Sequence, residues 1–247
     1  MSTLCRRVLA LLIVCVCAAT GAGCAWMDQT RDQHGGTVVM LVGLSPQELA
    51  APGATTLDCA QATIAWAAKE GSTLIMAPIG LPRREQWQTV RFELQTDAQR
   101  TNPYAAKRWR ERQSKIASGD LAALRQHDAG RDSLDLLAAA TDGSRVLNYQ
   151  HGPRTLVLCT AGQQRSPELT LGPAPLPPPA IMATLRRLQP ELEPMRLTRV
   201  VFGAAGDAEQ TQQSLTEQAS VEAFWRAWTR HESAIHFSYG PIPHYPY

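Results

Sequence analysis

The sequence holds no apolar run long enough to span a bilayer. Its opening run, Val8 to Ala19, is about a dozen residues where a span takes about 20. No Cys-x-x-Cys pair occurs, so neither a thioredoxin-like redox motif nor a zinc site is indicated. No His-x3-His pair occurs either. His127, His151, His231, His236 and His244 are scattered, and His231 and His236 lie five apart across an expected helix end. They read as surface or tail residues. Charge is nearly balanced, with 24 Lys and Arg against 22 Asp and Glu, a net +2 over 247 residues. That balance disfavours nucleic acid as a partner. There is no internal repeat, and the one low-complexity segment is the proline run Pro173 to Pro179.

What the first 24 residues do have is the grammar of an export signal: basic Arg6 and Arg7, the short apolar run, then small residues. Gly21-Ala22-Gly23-Cys24 resembles a bacterial lipoprotein cleavage box, in which Cys24 becomes the lipidated first residue. Gly21 departs from the Leu-like residue usual there, and ordinary cleavage near Cys24 is the alternative. Of six cysteines, three leave with the signal and Cys24 carries the lipid. Cys59 and Cys159 remain, either paired in an oxidising compartment or as two separate buried thiols. Residues 25–36 are polar, end in Gly35-Gly36, and read as a tether.

From residue 37 onward, β-rich runs alternate with helical ones. Strands are expected over 37–42, 72–79, 89–95, 155–160, 197–202 and 234–240. The segment 37–42, TVVMLV, is apolar without alternation, as a central parallel strand is. The segment 89–95 alternates, as an edge strand does. Helices are expected over 57–70, 104–118, 133–140, 180–189 and 215–231, with a break at Gly119-Asp120. Asp132 is expected to cap the helix at 133. In the last helix Val221, Phe224, Trp225 and Trp228 form the apolar face. The order predicts a doubly wound, mostly parallel six-stranded α/β domain over 37–240, covered on both faces by helices. A Pro/Tyr tail, 241–247, follows; its alternating Tyr and Pro could pack down or offer a polyproline-like segment to a partner.

Three positions carry a resemblance. The first strand ends in a loop holding Ser45, a helix opens with Asp132-Ser133-Leu134-Asp135, and the fourth strand ends in LVLCTAG. This pattern resembles the von Willebrand factor A (vWA) family, whose metal site is built from those three loops. Placed on the family's motif, the first-loop acid falls on Gly43, its hydroxyls on Ser45 and Gln47, the threonine on Ser133, and the second acid on Ala161. Both acids are therefore missing. A hard divalent cation needs oxygen ligands that normally include a carboxylate, so no metal and no cofactor are expected. Asp132 and Asp135 are the only nearby acids that could substitute. The resemblance implies strand order 3-2-1-4-5-6 and a non-catalytic protein–protein interaction role at the cell envelope.

Gly43-Leu44-Ser45-Pro46-Gln47 is also one residue from the G-x-S-x-G nucleophile elbow. Gln47 replaces the second glycine and Pro46 stiffens the turn, so Ser45 reads as a serine bonding within its own loop. An envelope hydrolase using Ser45 and an α/β solute-binding domain are the competing classes. A basic helix, Lys107, Arg108, Arg110, Arg112 and Lys115, is offset by Glu111. Arg108, Arg112 and Lys115 share one face, while Trp109 and Ile116 share another. The cationic face could be solvated, rest on anionic headgroups, or receive an acidic partner.

Overall fold

The strands follow from β-branched and apolar runs that are buried along nearly their whole length. In a computed structural model they are Thr37–Val42 (β1), Thr73–Pro78 (β2), Gln88–Arg91 (β3), Arg154–Cys159 (β4), Thr198–Gly203 (β5) and His236–Tyr239 (β6). The helices are Thr55–Glu70 (α1), Pro103–Asp128 (α2), Leu136–Asn148 (α3), Pro178–Leu188 (α4) and Leu215–His231 (α5). The structure describes residues 35–44, 55–80, 87–92, 101–128, 135–164, 169–171, 176–188, 194–196, 198–203 and 215–240, with Thr96, Gln99, Ser166, Pro243 and Tyr245.

The six strands form one sheet in the order β3-β2-β1-β4-β5-β6. All neighbours pair in parallel except β2 and β3. The exception has a simple cause. Only nine residues, 79–87, separate β2 from β3, and a parallel crossover takes about a dozen or more. β3 therefore turns back as an antiparallel edge. The fold is a doubly wound α/β sheet of the Rossmann and vWA kind.

Residue parity along the strands sorts the core into two layers. Val39, Leu41, Leu156, Leu158, Val200 and Phe202 face α3, α4 and α5. Val38, Met40, Val42, Leu74, Met76, Val157 and Val201 face α1 and α2. Each such side chain contributes about 1.5–3 kcal/mol when fully buried. β1 buries all six residues, which is why TVVMLV shows no alternation. Trp225, Trp228 and Phe224 lie in the first layer, at most 1% exposed.

Gly35 and Gly36, read from sequence as the end of the tether, already belong to this unit. The Ser72 hydroxyl donates to the Gly35 carbonyl at 2.7 Å, and Gly36 lies at φ +89° with the Pro153 carbonyl where a Cβ would sit. The expected signal, 1–24, and residues 25–34 lie outside the described residues.

Two helices differ from expectation. α2 runs without a break through Gly119, which faces open space. Ala117, Leu121 and Leu124 continue the buried stripe past it, and that packing outweighs the roughly 1 kcal/mol cost of a mid-helix glycine. On the same helix Trp109 is 4% exposed but Ile116 is 56% exposed, so the two do not share an environment. α3 begins at Leu136, is capped by Asp135 rather than Asp132, and continues to Asn148 through Thr141-Asp142-Gly143-Ser144. Those polar and small residues read as a helix end. Gly143 instead allows close approach to the sheet, since a Cβ there would lie 2.9 Å from Leu156 Cδ1.

Candidate functional site

In a doubly wound sheet the loops diverge where the strand order reverses, leaving a crevice at the carboxyl ends of the two central strands. Here those strands are β1 and β4. Val42 lies opposite Cys159, and the Gly43 N–H donates to the Cys159 carbonyl at 2.9 Å. Gly43 and Ala161 thus stand on neighbouring strand ends, and Leu44 is buried beside them. Neither Gly43 nor Ala161 brings a carboxylate. Ser45, Gln47, Asp132, Ser133 and Cys24 lie outside the described residues.

The third wall is the first turn of α3. The opening N–H groups of a helix have no partner within it and carry the positive end of its dipole, so they are ready to hold an anion. In this protein two of them are already engaged. The Ala138 N–H donates to Asp135 Oδ1 at 3.2 Å. The Leu137 N–H donates to Gln164 Oε1 at 2.8 Å. Gln164 then donates from Nε2 to Asp135 Oδ1 at 2.9 Å. Gln164 is fully buried. Its neutral amide joins the loop after β4 to the head of α3 and satisfies donor and acceptor together.

The loop after β4 is pinned on its other side. Gly162 takes a positive φ of +79°. Its N–H donates to Thr160 Oγ1 at 3.3 Å, and its carbonyl accepts from Trp225 Nε1 at 2.8 Å. A Cβ at Gly162 would lie 3.2 Å from the Tyr239 hydroxyl and 3.3 Å from Val221 Cγ1. Tyr239, on β6, packs its ring against Phe202 beside Gly162. Burial, with the Glu222 carboxylate adding to it, pushes its phenol above the ordinary tyrosine range.

On the opposite face of the sheet, Cys59 of α1 and Cys159 of β4 form a disulfide. The tail lies over it. Tyr245 stacks on Trp66 with ring centroids 4.3 Å apart, and its hydroxyl shares a 2.6 Å hydrogen bond with Thr63 Oγ1. Thr63 in turn lies 3.9 Å from Cys159 Sγ. Pro243 is buried, and its Cδ lies 3.2 Å from the place a Cβ on Gly203 would take. Tyr245 is therefore anchored to α1, and its phenol is pushed up by burial, an effect only partly offset by the bond to Thr63.

Among the described residues, the donor set at the crevice does not fit a divalent cation. Asp135 is the one described carboxylate at the crevice, and its Oδ1 already accepts two N–H groups. Gly43 and Ala161 offer no side-chain oxygen. Among the described residues, no three His, Cys, Asp or Glu side chains gather at one point.

The described histidines bear on the hydrolase alternative. His151 precedes β4, His236 opens β6, and His231 precedes it by a turn. These three sit at the amino end of the sheet, away from the carboxyl end of β1, which Ser45 follows in sequence. A six-residue strand, about 20 Å long, stands between the two ends. His127, in the last turn of α2, is a fourth described histidine and is not set apart in this way. His231 is also not a free surface group. Its Nδ1 lies 2.7 Å from Oε1 of the buried Glu232.

Gln164, Trp225 and Thr63 are the site residues that the sequence reading missed. Nothing in Gly162-Gln163-Gln164-Arg165 separates the buried glutamine from its half-buried neighbour. No family model matches the chain, and no characterised protein matches it as a relative.

Proposed function

We propose that this chain is a non-catalytic interaction protein of the bacterial cell envelope, exported, anchored by lipid at Cys24, and built on a vWA-like domain whose metal site has been replaced by neutral side chains. The observation that carries the reading is the buried Gln164 amide. It spans the gap between the β4 loop and the head of α3, where the family places a threonine, an acid and a cation. Its side chain bonds Leu137 and Asp135, so the Leu137 N–H is not offered to a phosphate or carboxylate. The missing acids at Gly43 and Ala161 and the antiparallel edge beside β2 fit the same reading. On this reading partner binding falls to the outer surface of the domain.

Calorimetry of the whole chain with Mg²⁺, Mn²⁺ and Ca²⁺ tests the metal half of the proposal, and the expected result is no saturable binding. A serine-reactive fluorophosphonate probe tests the other half, and labelling that disappears in Ser45→Ala would move the protein to the hydrolases. Photo-crosslinking of the anchored chain in its own envelope tests the interaction itself. Adducts of defined mass are expected, and their absence from all outer helix faces would end the interaction reading.

A further inference from the structure

Among the described residues, the outer face of α2 carries a concave surface with its own chemistry. A groove of about 520 Å³ runs along it, lined by Gln99, Ala105, Arg108, Glu111, Arg112 and Lys115. Three cations stand there against one carboxylate. Among the described residues neither Arg108, Arg112 nor Lys115 makes an ion pair, whereas Glu111 is already within 3.9 Å of Lys107 Nζ. Arg108, Arg112 and Lys115 are exposed, so their charge is available to a partner.

We infer that this groove binds an acidic, extended segment of a partner protein, with alternate side chains of the segment meeting Arg108 and Arg112. The spacing carries the choice of partner. Residues four apart on a helix are about 6 Å apart along its axis. Alternate residues of an extended chain are about 6.6 Å apart and point the same way. An Asp-x-Asp or Glu-x-Glu segment laid along α2 therefore presents successive carboxylates in step with the two guanidinium groups. Each planar guanidinium takes a carboxylate through two parallel N–H···O bonds. Lys115 lies three residues further on and meets a third acid with its flexible ammonium. A bilayer surface is flat and contacts a helix along its ridge, whereas the space between Gln99 and the cationic face of α2 admits an extended chain. The inference rests on the interaction reading above and names the chemistry of its partner.

The test uses the full chain and a fluorescein-labelled peptide of alternating Asp and Ser, with the Asn and Ser peptide as control, read by anisotropy at low salt. Saturable binding of the acidic peptide is expected, weakening as salt is raised. Binding should fall at least about tenfold in Arg108→Glu/Arg112→Glu. It should hold within about twofold in Arg110→Glu, an exposed charge reversal on the same helix outside the groove; unchanged circular dichroism in both variants keeps the comparison sound. Equal binding of the two peptides, or loss in Arg110→Glu as well, overturns the inference. Binding of phosphatidylglycerol vesicles over phosphatidylcholine vesicles, abolished by the double variant while the peptide does not bind, overturns it in favour of a membrane surface. If envelope crosslinks survive the double variant, the groove is wrong and the interaction reading stands. If wild type yields no crosslinks, that broader reading fails instead.

Discussion

At the scale of single residues, Gln164 shows how a neutral side chain can do the job of a charge centre. A helix terminus buried against two loops must have its N–H groups satisfied. An anion or a metal-bound carboxylate is one solution, and a buried amide is another that needs no counter-ion. Gln164→Ala removes both hydrogen bonds and leaves Leu137 N–H unsatisfied in a dry site. The expected loss is about 2–4 kcal/mol of unfolding free energy, from the orphaned donor and the cavity together, read by urea denaturation. Gln164→Glu separates charge from shape. It keeps an acceptor for Leu137 but places a second carboxyl beside Asp135 in a buried position. Burial and the like charge raise the introduced carboxyl's pKa in the folded state above its unfolded value of about 4.3. A raised folded value means the penalty is absent below the unfolded pKa and grows as pH rises toward the folded one. The variant should thus approach wild-type stability near pH 4 and fall well below it at pH 7. Equal deficits at both pH values would show that Gln164 matters for its size and not for its neutrality.

At the scale of elements, the last strand and the tail bring two tyrosines into apolar surroundings. Tyr239 and Tyr245 both have phenols pushed above the ordinary range, chiefly by burial. Tyr104 and Tyr149 are 79% and 78% exposed. The phenol is charged when it loses its proton, so a raised folded pKa makes the unfolded chain release protons first. Stability is fully present below about pH 10, the unfolded value, and is lost as pH rises above it. An alkaline titration followed at 295 nm should show a late, steep phase coincident with loss of far-ultraviolet ellipticity. Tyr245→Phe should shrink the late phase and cost about 1 kcal/mol at neutral pH, for the bond to Thr63. The tail's role was only half legible in the sequence. The alternation of Tyr and Pro marked it as unable to extend the sheet, but the parallel ring that receives Tyr245 is Trp66, far away on α1. The same limit governs α2 and α3. Their starts and periodicity were readable. Their ends were not, because Gly119 and Gly143 are tolerated for opposite reasons, one by facing open space and one by close approach to the sheet.

At the scale of the molecule, a mostly parallel sheet covered on both faces was legible because uninterrupted β-rich runs separated by helices allow few arrangements, and right-handed crossovers reduce them further; the strand order itself was expected only from the family resemblance. The antiparallel edge was also implicit in the short link before β3. The contents of the crevice were not legible, since Gln164, Gly162 and Trp225 meet only through a loop, a backbone carbonyl and a helix 61 residues beyond Gln164. The Cys59–Cys159 disulfide ties these scales together. It joins α1 to the end of β4 across 100 residues of sequence, and Cys59 and Cys159 are 1% and 0% exposed beneath the tail. Closing a loop of that length removes entropy from the unfolded chain worth up to about 4.7 kcal/mol, with strain subtracting from it. Cys59→Ala/Cys159→Ala should therefore lower the unfolding free energy by about 3–5 kcal/mol in guanidinium titrations. Burial adds a kinetic consequence. Thiolate attack requires a path to the sulfur, so dithiothreitol should reduce the native bond no faster than the region around α1 opens. Reduction should quicken in Tyr245→Ala, which frees the tail from Trp66 and Thr63, and quicken much more in denaturant. Rapid reduction of the wild-type chain under native conditions, unchanged by Tyr245→Ala, would mean that the tail does not shield the bond.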